Sequence, residues 1–322
     1  MKSIAFFNNK GGVGKTTLVY HIGHMMTELG YRVLVADLDP QANLSAMFLS
    51  ESTLYERIEE EKSIVHALSP RIKGTGDIQE VHCEKVAHNL FLIIGDLELA
   101  TFEDQLSESW GKTGDGKEPA FRDISAFYRI IDAAAKSVEA DFILIDVGPN
   151  FGAINRAALI SADNIVIPVA ADLFSIQGIS SVGKTLKDWR EKWRRRLEYT
   201  PNPHLLLPKG IMKPIGYVIS QHGIRERRPV QAYLKWANRI PYIYSTSILN
   251  KEIDKTISPS DDDNCLGLLK HYRSLIAMSM EVSKPIFSLK AADGAIGSHT
   301  EAVGNAYRDF KELTEKIINK AI

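Results

Sequence analysis

The 322-residue sequence is short of cysteine: Cys83 and Cys265 are its only two, far apart and in no C-x-x-C pair. That scarcity excludes a disulfide framework and a thiolate zinc or iron–sulfur site, and it predicts a reduced, cytoplasmic setting. No apolar run approaches the roughly 20 residues of a membrane-spanning helix. The apolar pattern begins at Ile4, and the expectation is that no leader peptide or DNA-binding arm precedes it. An excess of one charge is also missing. With 39 Lys and Arg against 40 Asp and Glu the net charge is −1 at pH 7, so any nucleic-acid contact has to come from a local patch. What remains is an ordinary globular composition, 44% hydrophobic and 25% charged, long enough to bury a large core.

The most informative stretch is Asn8-Asn9-Lys10-Gly11-Gly12-Val13-Gly14-Lys15-Thr16-Thr17. It follows the apolar run Ile4 to Phe7 and precedes Leu18, Ile22, Met25, Met26 and Leu29, which recur at helical spacing. Strand, glycine-rich turn and helix form the context of a phosphate-binding loop. Glycines let the backbone approach an anion, and successive N–H groups with the helix N-terminus point at it. Lys15 is placed to reach β- and γ-phosphates, and the Thr16 hydroxyl to ligate Mg²⁺. A dinucleotide fingerprint fails, because Thr17 stands where its third glycine belongs.

Apolar runs near 2–8, 31–37, 90–95, 141–147, 163–169 and 213–220 read as strands, with helical patterns in most of the gaps. This alternation predicts an α/β fold: a doubly wound, mostly parallel sheet with helices on both faces and ligands at the carboxyl ends of the strands. Gly111 to Lys117 reads as a surface loop by composition. We find no repeat and no clear domain boundary, and expect one domain over 1–322 with a divergent helical part from about 242 to 322.

Two strand ends carry acids. Val33-Leu34-Val35-Ala36-Asp37-Leu38-Asp39-Pro40 brings a water-orienting carboxylate to the phosphate loop, and Asp141-Phe142-Ile143-Leu144-Ile145-Asp146 has the form of a Walker B strand whose aspartate holds Mg²⁺. Asn250-Lys251-Glu252-Ile253-Asp254 misses a guanine-reading motif, its acid lying one position late.

Asn9 occupies the position where the usual phosphate loop has glycine, and a second lysine, Lys10, opens the loop. Lys-Gly-Gly-Val-Gly-Lys-Thr-Thr resembles the deviant Walker A signature of the ParA/MinD family of ATPases. Asp37 to Gln41 resembles its switch I, and Ala162 to Val169 followed by Phe174 to Gly178 resembles its "AD…IPV" strand and the turn beyond. The likeness is strong to about residue 198, looser to Ser220 and faint afterwards. One departure is Gly148-Pro149-Asn150, where the family usually has Pro-Pro-Ser. It spells the tripeptide of GPN-loop GTPases, which in those proteins does not directly follow the Walker B strand.

The resemblance implies a P-loop NTPase fold of the deviant Walker A type that binds ATP and Mg²⁺. It implies that Lys10, Gly11, Gly12, Val13, Gly14, Lys15, Thr16 and Thr17 hold the nucleotide, with Gln221 near the base. It implies metal contacts from Thr16, Asp39 and Asp146, with Asp39 orienting water and Asp37 shaping the loop or supporting the metal shell. Lys10 is implied to cross a two-fold interface and touch the partner's phosphates, so that ATP is sandwiched in a homodimer and Lys10, Lys15 and Asp39 are the catalytic set.

The helix from about 174 to 198 joins an apolar stripe (Ile176, Ile179, Val182, Leu186, Trp189, Trp193, Leu197) to a basic remainder that ends in Arg194, Arg195 and Arg196. Arg225, Arg227 and Arg228 form a second basic cluster. The resemblance makes these residues candidates for nonspecific DNA binding; the alternative is a solvated face with dipole stabilisation at the helix end. Tyr307, Phe310, Leu313, Ile317 and Ile318 form a stripe whose polar face mixes both charges, which favours docking on the sheet over binding to a membrane. The overall expectation is a partition ATPase of plasmid or chromosome working with a ParB-like adaptor. A regulatory dimer switch acting on a protein partner without DNA is the first alternative, and a nucleotide-dependent ligase is the second.

Overall fold

The computed structural model describes residues 1–220, 230–270, 272 and 274–322. Gln221, Arg225, Arg227 and Arg228 lie outside the described residues. The first part of the chain runs β1 (Lys2–Phe6), α1 (Lys15–Glu28), β2 (Val33–Asp37), α2 (Asn43–Phe48), α3 (Glu51–Glu59), α4 (Ile64–Ile72), β3 (Glu84–Ala87), β4 (Leu90–Ile93), α5 (Glu103–Thr113), α6 (Glu118–Ile124), α7 (Ala126–Ser137) and β5 (Phe142–Asp146). It continues through α8 (Ala153–Ile160), β6 (Asn164–Ala170), α9 (Leu173–Leu197), β7 (Lys213–Ser220), α10 (Val230–Ala237), α11 (Ile240–Ser247), β8 (Cys265–Leu269), α12 (Ser274–Glu281) and α13 (Ser298–Ala321).

Among the described residues eight strands form one sheet in the order β3-β4-β2-β5-β1-β6-β7-β8. All neighbours are parallel except β3 with β4. Strands β2, β4, β5 and β6 are buried at every position, as a parallel sheet covered on both faces requires. One face packs under α4 to α9 and α11 around Phe102, Phe121, Phe127 and Trp193; the other packs under α1 and α13 around Ile22, Met25, Phe310 and Ile317. The α/β, doubly wound reading therefore holds.

The six expected strands are all present, and the structure adds two. β3 is a polar, four-residue antiparallel edge. β8 lies inside the part expected to be helical and pairs with β7, so residues beyond 242 complete the sheet. Gly111 to Thr113 is not loop but the last turn of α5, held there by the burial of Trp110 and Thr113; the turn proper begins at Gly114. α13 docks as expected, burying Phe310, Leu313, Ile317 and Ile318. Among the described residues no helix is long and apolar enough to cross a membrane.

Candidate functional site: the phosphate loop and its carboxylates

Parallel register sets the site. Phe6 pairs with Asp146 and Asp37 pairs with Asp146, so the ends of β1, β2 and β5 lie side by side. The loop leaving β1 turns through Gly12 (φ 71°) and Gly14 (φ 83°), conformations open to glycine at little cost, and Gly14 caps α1. Asn8 anchors the loop by donating to the Pro168 carbonyl (2.7 Å), and its Oδ1 accepts from the Lys10 amide (3.0 Å). Ser220, at the end of β7, donates to the Val13 carbonyl (3.0 Å).

Lys15, Asp39 and Asp146 converge beneath this loop. Lys15 is 7% exposed; burial lowers its pKa, against the pull of Asp146 and Asp39. Asp146 is fully buried and both its oxygens lack a well-formed hydrogen bond. Burial and then Asp37 push its pKa well above the ordinary value, and only Thr16 and Lys15 oppose them. Asp37 is committed elsewhere. Its carboxylate accepts from the Ser45 amide (2.8 Å) and hydroxyl (2.7 Å), and burial raises it to about 6. It therefore shapes the start of α2. Asp39 is nearly buried, accepts from the Gln41 amide (3.0 Å), and faces Gly148, where a Cβ would sit 3.2 Å from its Oδ1.

Three carboxylates against one ammonium leave this crevice short of positive charge. The orphaned oxygens of Asp146 beside Thr16 and Asp39 make an all-oxygen donor set of the kind that suits Mg²⁺, which takes one or two protein ligands and completes its shell with phosphate and water. Among the described residues no cluster of three or more His, Cys, Asp or Glu side chains is placed to hold a metal ion. The cleft holds about 470 Å³. Its lining adds Met47, Pro149, Ile276 and Met280 to the phosphate loop. The last two belong to α12, a contribution that nothing in the sequence pattern announced.

Lys10 is not free in this single chain. Its ammonium pairs with Asp172 and lies 3.3 Å from the Ser175 hydroxyl. Burial pulls the Asp172 pKa up, but hydrogen bonds from Lys10 and the Ser175 amide hold it below its usual range. Asp172 caps α9, accepting from the Ser175 amide (2.9 Å), and Asp-x-x-Ser ahead of an apolar stripe is the signal that would have found it.

The stripe on α9 is core, as expected: Ile179, Val182, Leu186, Trp189 and Trp193 are buried. Its arginines divide. Arg194 and Arg195 are exposed, whereas the Arg196 guanidinium stacks 3.7 Å above the centre of the Trp110 ring. Arg190 turns inward to the carbonyls of Ile211 and Met212. Arg196 is thus removed from the exposed basic patch by an aromatic partner fixed in α5.

Residues 1–199 match the family model described as an AAA domain. Over 198 residues the chain is 30% identical to an uncharacterised protein of Mycobacterium tuberculosis, a match covering 61% of this chain and 55% of that one, so the likeness spans little more than half the relative's length. The sporulation initiation inhibitor protein Soj of Bacillus subtilis is 28% identical over 186 residues (58% of this chain, 65% of Soj). Among solved structures, protein DIP2308 of Corynebacterium diphtheriae superposes with a TM-score of 0.70 at 22% identity, covering 100% of this chain and 99% of that one. A plasmid partition protein of Borrelia burgdorferi bound to AMPPNP superposes with a TM-score of 0.58 at 19% identity, covering 99% of both chains. At these identities the structures speak for the fold.

Proposed function

The chain belongs to the ParA/MinD family of deviant Walker A ATPases, and from that premise we propose that it binds ATP with Mg²⁺, hydrolyses it slowly and uses the bound nucleotide to hold a homodimer. The observation that carries this reading is the meeting of Lys15, Asp39 and the orphaned Asp146 under one glycine-rich turn. In it, the amides of Gly11 to Thr17 and the Lys15 ammonium hold the triphosphate. The Thr16 hydroxyl and Asp146 would hold Mg²⁺, whose positive charge would offset that of the triphosphate. Asp39 orients the attacking water, and Asp37 keeps its place as the anchor of α2. Lys10 leaves Asp172 when a second copy arrives and reaches that copy's phosphates, a cation supplied in trans. The AMPPNP-bound Borrelia protein supports the choice of nucleotide.

The pathway we favour is partition of plasmid or chromosome in the cytoplasm, with ATP-dependent, nonspecific DNA binding and a ParB-like adaptor that stimulates hydrolysis. Support comes from the Borrelia plasmid partition protein among the fold neighbours and from the exposed Arg194 and Arg195. A regulatory dimer without DNA is the second reading, favoured by α12, which brings residues from outside the AAA-domain match into the nucleotide cleft. Filter binding with ATP over a salt series separates the two. Retention that needs ATP and falls steeply with salt, with a log–log slope of about −0.9 per phosphate neutralised, supports partition. Equal retention by wild type and the Arg194→Ala/Arg195→Ala variant clears this patch.

A further inference from the structure

The segment between Asp146 and α8 carries Gly148 and Pro149 past Asp39 and along the wall of the nucleotide cleft. Two devices hold it. The first is local: the Asn155 side-chain amide donates to the carbonyls of Gly148 (2.8 Å) and Asn150 (2.8 Å), while Asn150 Oδ1 accepts from the Gly152 amide (2.7 Å). The second comes from fifty residues earlier. Glu103, the first residue of α5, lays its carboxylate across the start of α8. Its Oε1 accepts from the Ala153 amide (2.5 Å) and its Oε2 from the Ile154 amide (2.9 Å). Gly152 has an ordinary φ of −67°, so a side chain there would be opposed by space and not by backbone strain. A Cβ would stand 2.7 Å from Glu103 Oε1.

We propose that Glu103 is a positioning residue for hydrolysis, its two-oxygen cap on α8 fixing where Gly148 and Pro149 stand relative to Asp39 and the γ-phosphate. The proposal rests on the ATPase reading and deepens it. A carboxylate at a helix N-terminus satisfies two otherwise unpartnered N–H groups and interacts favourably with the dipole. Its base, α5, is packed into the core. Trp110 is buried with the Arg156 guanidinium 4.5 Å from its ring centre and that of Arg196 3.7 Å from it, and stacks on Trp193 at 6.1 Å. The cap therefore ties the loop after the Walker B strand to a rigid wall of the molecule. A loop displaced by about 1 Å at a reacting centre costs on the order of 10²-fold in rate.

The test compares wild type with Glu103→Gln, which keeps the shape but turns one acceptor into a donor facing an N–H. Gly152→Ala, whose methyl would meet both the Glu103 carboxylate and Asn150 Oδ1, disturbs the cap together with the local hydrogen bond and serves as a second variant. Ile317→Val, a methyl deletion in the core under α13 on the other face of the sheet, serves as the structural control. With Mg²⁺ present, both cap variants are expected to lose about tenfold in kcat while affinity for a fluorescent ADP analogue stays within about twofold. Ile317→Val is expected to lower Tm without that split. A cap variant with wild-type kcat, or one that loses kcat and affinity together as Tm falls, overturns the proposal. Amide exchange over residues 147–154 is followed in the same samples. A wild type that binds no nucleotide sinks the ATPase reading, whereas exchange in Glu103→Gln no faster than in wild type sinks the cap by itself.

Discussion

In residues 1–199 the chemistry sits at strand ends, on glycine turns and on acids that buried strands deliver into one crevice. In residues 200–322 the recognisable contribution is packing: β7 and β8 extend the sheet, and α13 covers α1 with Phe310, Leu313 and Ile317. The AAA-domain match stops at residue 199, yet the fold likeness to the Corynebacterium protein runs the whole length of the chain. The contrast teaches that a family signature can survive in backbone chemistry while the scaffold completing the same sheet drifts in sequence. Packing needs volume and polarity at a position, and many side chains supply both.

The largest expected effect sharpens this contrast on the chemical side. Asp39→Ala should lower hydrolysis by about 10²-fold or more while nucleotide binding persists, as read by phosphate release against titration of a fluorescent analogue. Undiminished turnover would remove Asp39 from the reaction. On the packing side, Phe310 is 2% exposed, and Phe310→Ala should cost about 3–5 kcal/mol in urea unfolding. A single transition is expected, because α13 packs on α1, the helix that begins at Lys15. A separate early transition with nucleotide binding intact would make the second region an appendage.

His21 joins the two regions and gives the next test. One ring nitrogen meets the Thr17 carbonyl (2.7 Å), the other accepts from the Ile286 amide (3.1 Å), and the ring stacks on Phe310 at 4.9 Å. Burial lowers its pKa to about 4, outweighing the hydrogen bond to Thr17, and His24 is lowered likewise, first by burial and then by His21. The unfolded chain takes up these protons near pH 6.5, whereas the folded chain refuses them until about 4. Stability is therefore full above pH 6.5 and is lost as pH falls through that window, by about 3 kcal/mol for His21. His21→Gln should flatten the loss of Tm between pH 7 and 5; an unchanged slope would assign the acid sensitivity to other groups.

What the sequence made legible follows from where free energy is concentrated. Fully buried strands read as apolar runs, and the phosphate loop reads because its glycines and Lys15 answer to one geometry. β3 and β8 were hidden for the opposite reason. Glu84-Lys85-Val86-Ala87 is a polar edge, and Cys265 to Leu269 is short, holds a glycine and follows three aspartates. Gly111 misled because burial of Trp110 and Thr113 overrode the low helix propensity of glycine. Asp37 was found as an acid, but its assignment to Ser45 is a contact across a turn that no spacing rule reveals. Glu103, whose carboxylate lies at the start of α8, and Ile276, in the wall of the cleft, come from positions far from any motif.

The smallest effect is expected inside the motif itself. Lys10 is the residue the signature singles out, yet its partner in the single chain, Asp172, lies 162 residues away. The pair is partly solvated, with side chains 30% and 38% exposed, so its worth to the fold is about 0–1 kcal/mol after screening. Asp172→Asn removes the charge and keeps the Oδ1 that caps α9, so Tm should shift by only a degree or two. The consequence should fall on association. A lysine relieved of its internal partner reaches a second copy at less cost, and the ATP-bound dimer should tighten by about two- to fivefold in sedimentation equilibrium. Salt should narrow the gap between variant and wild type, because it screens the internal pair that only the wild type retains. A dimer weaker in Asp172→Asn than in wild type would mean that Asp172 serves the interface directly, and that the cis pairing is no brake on the trans one.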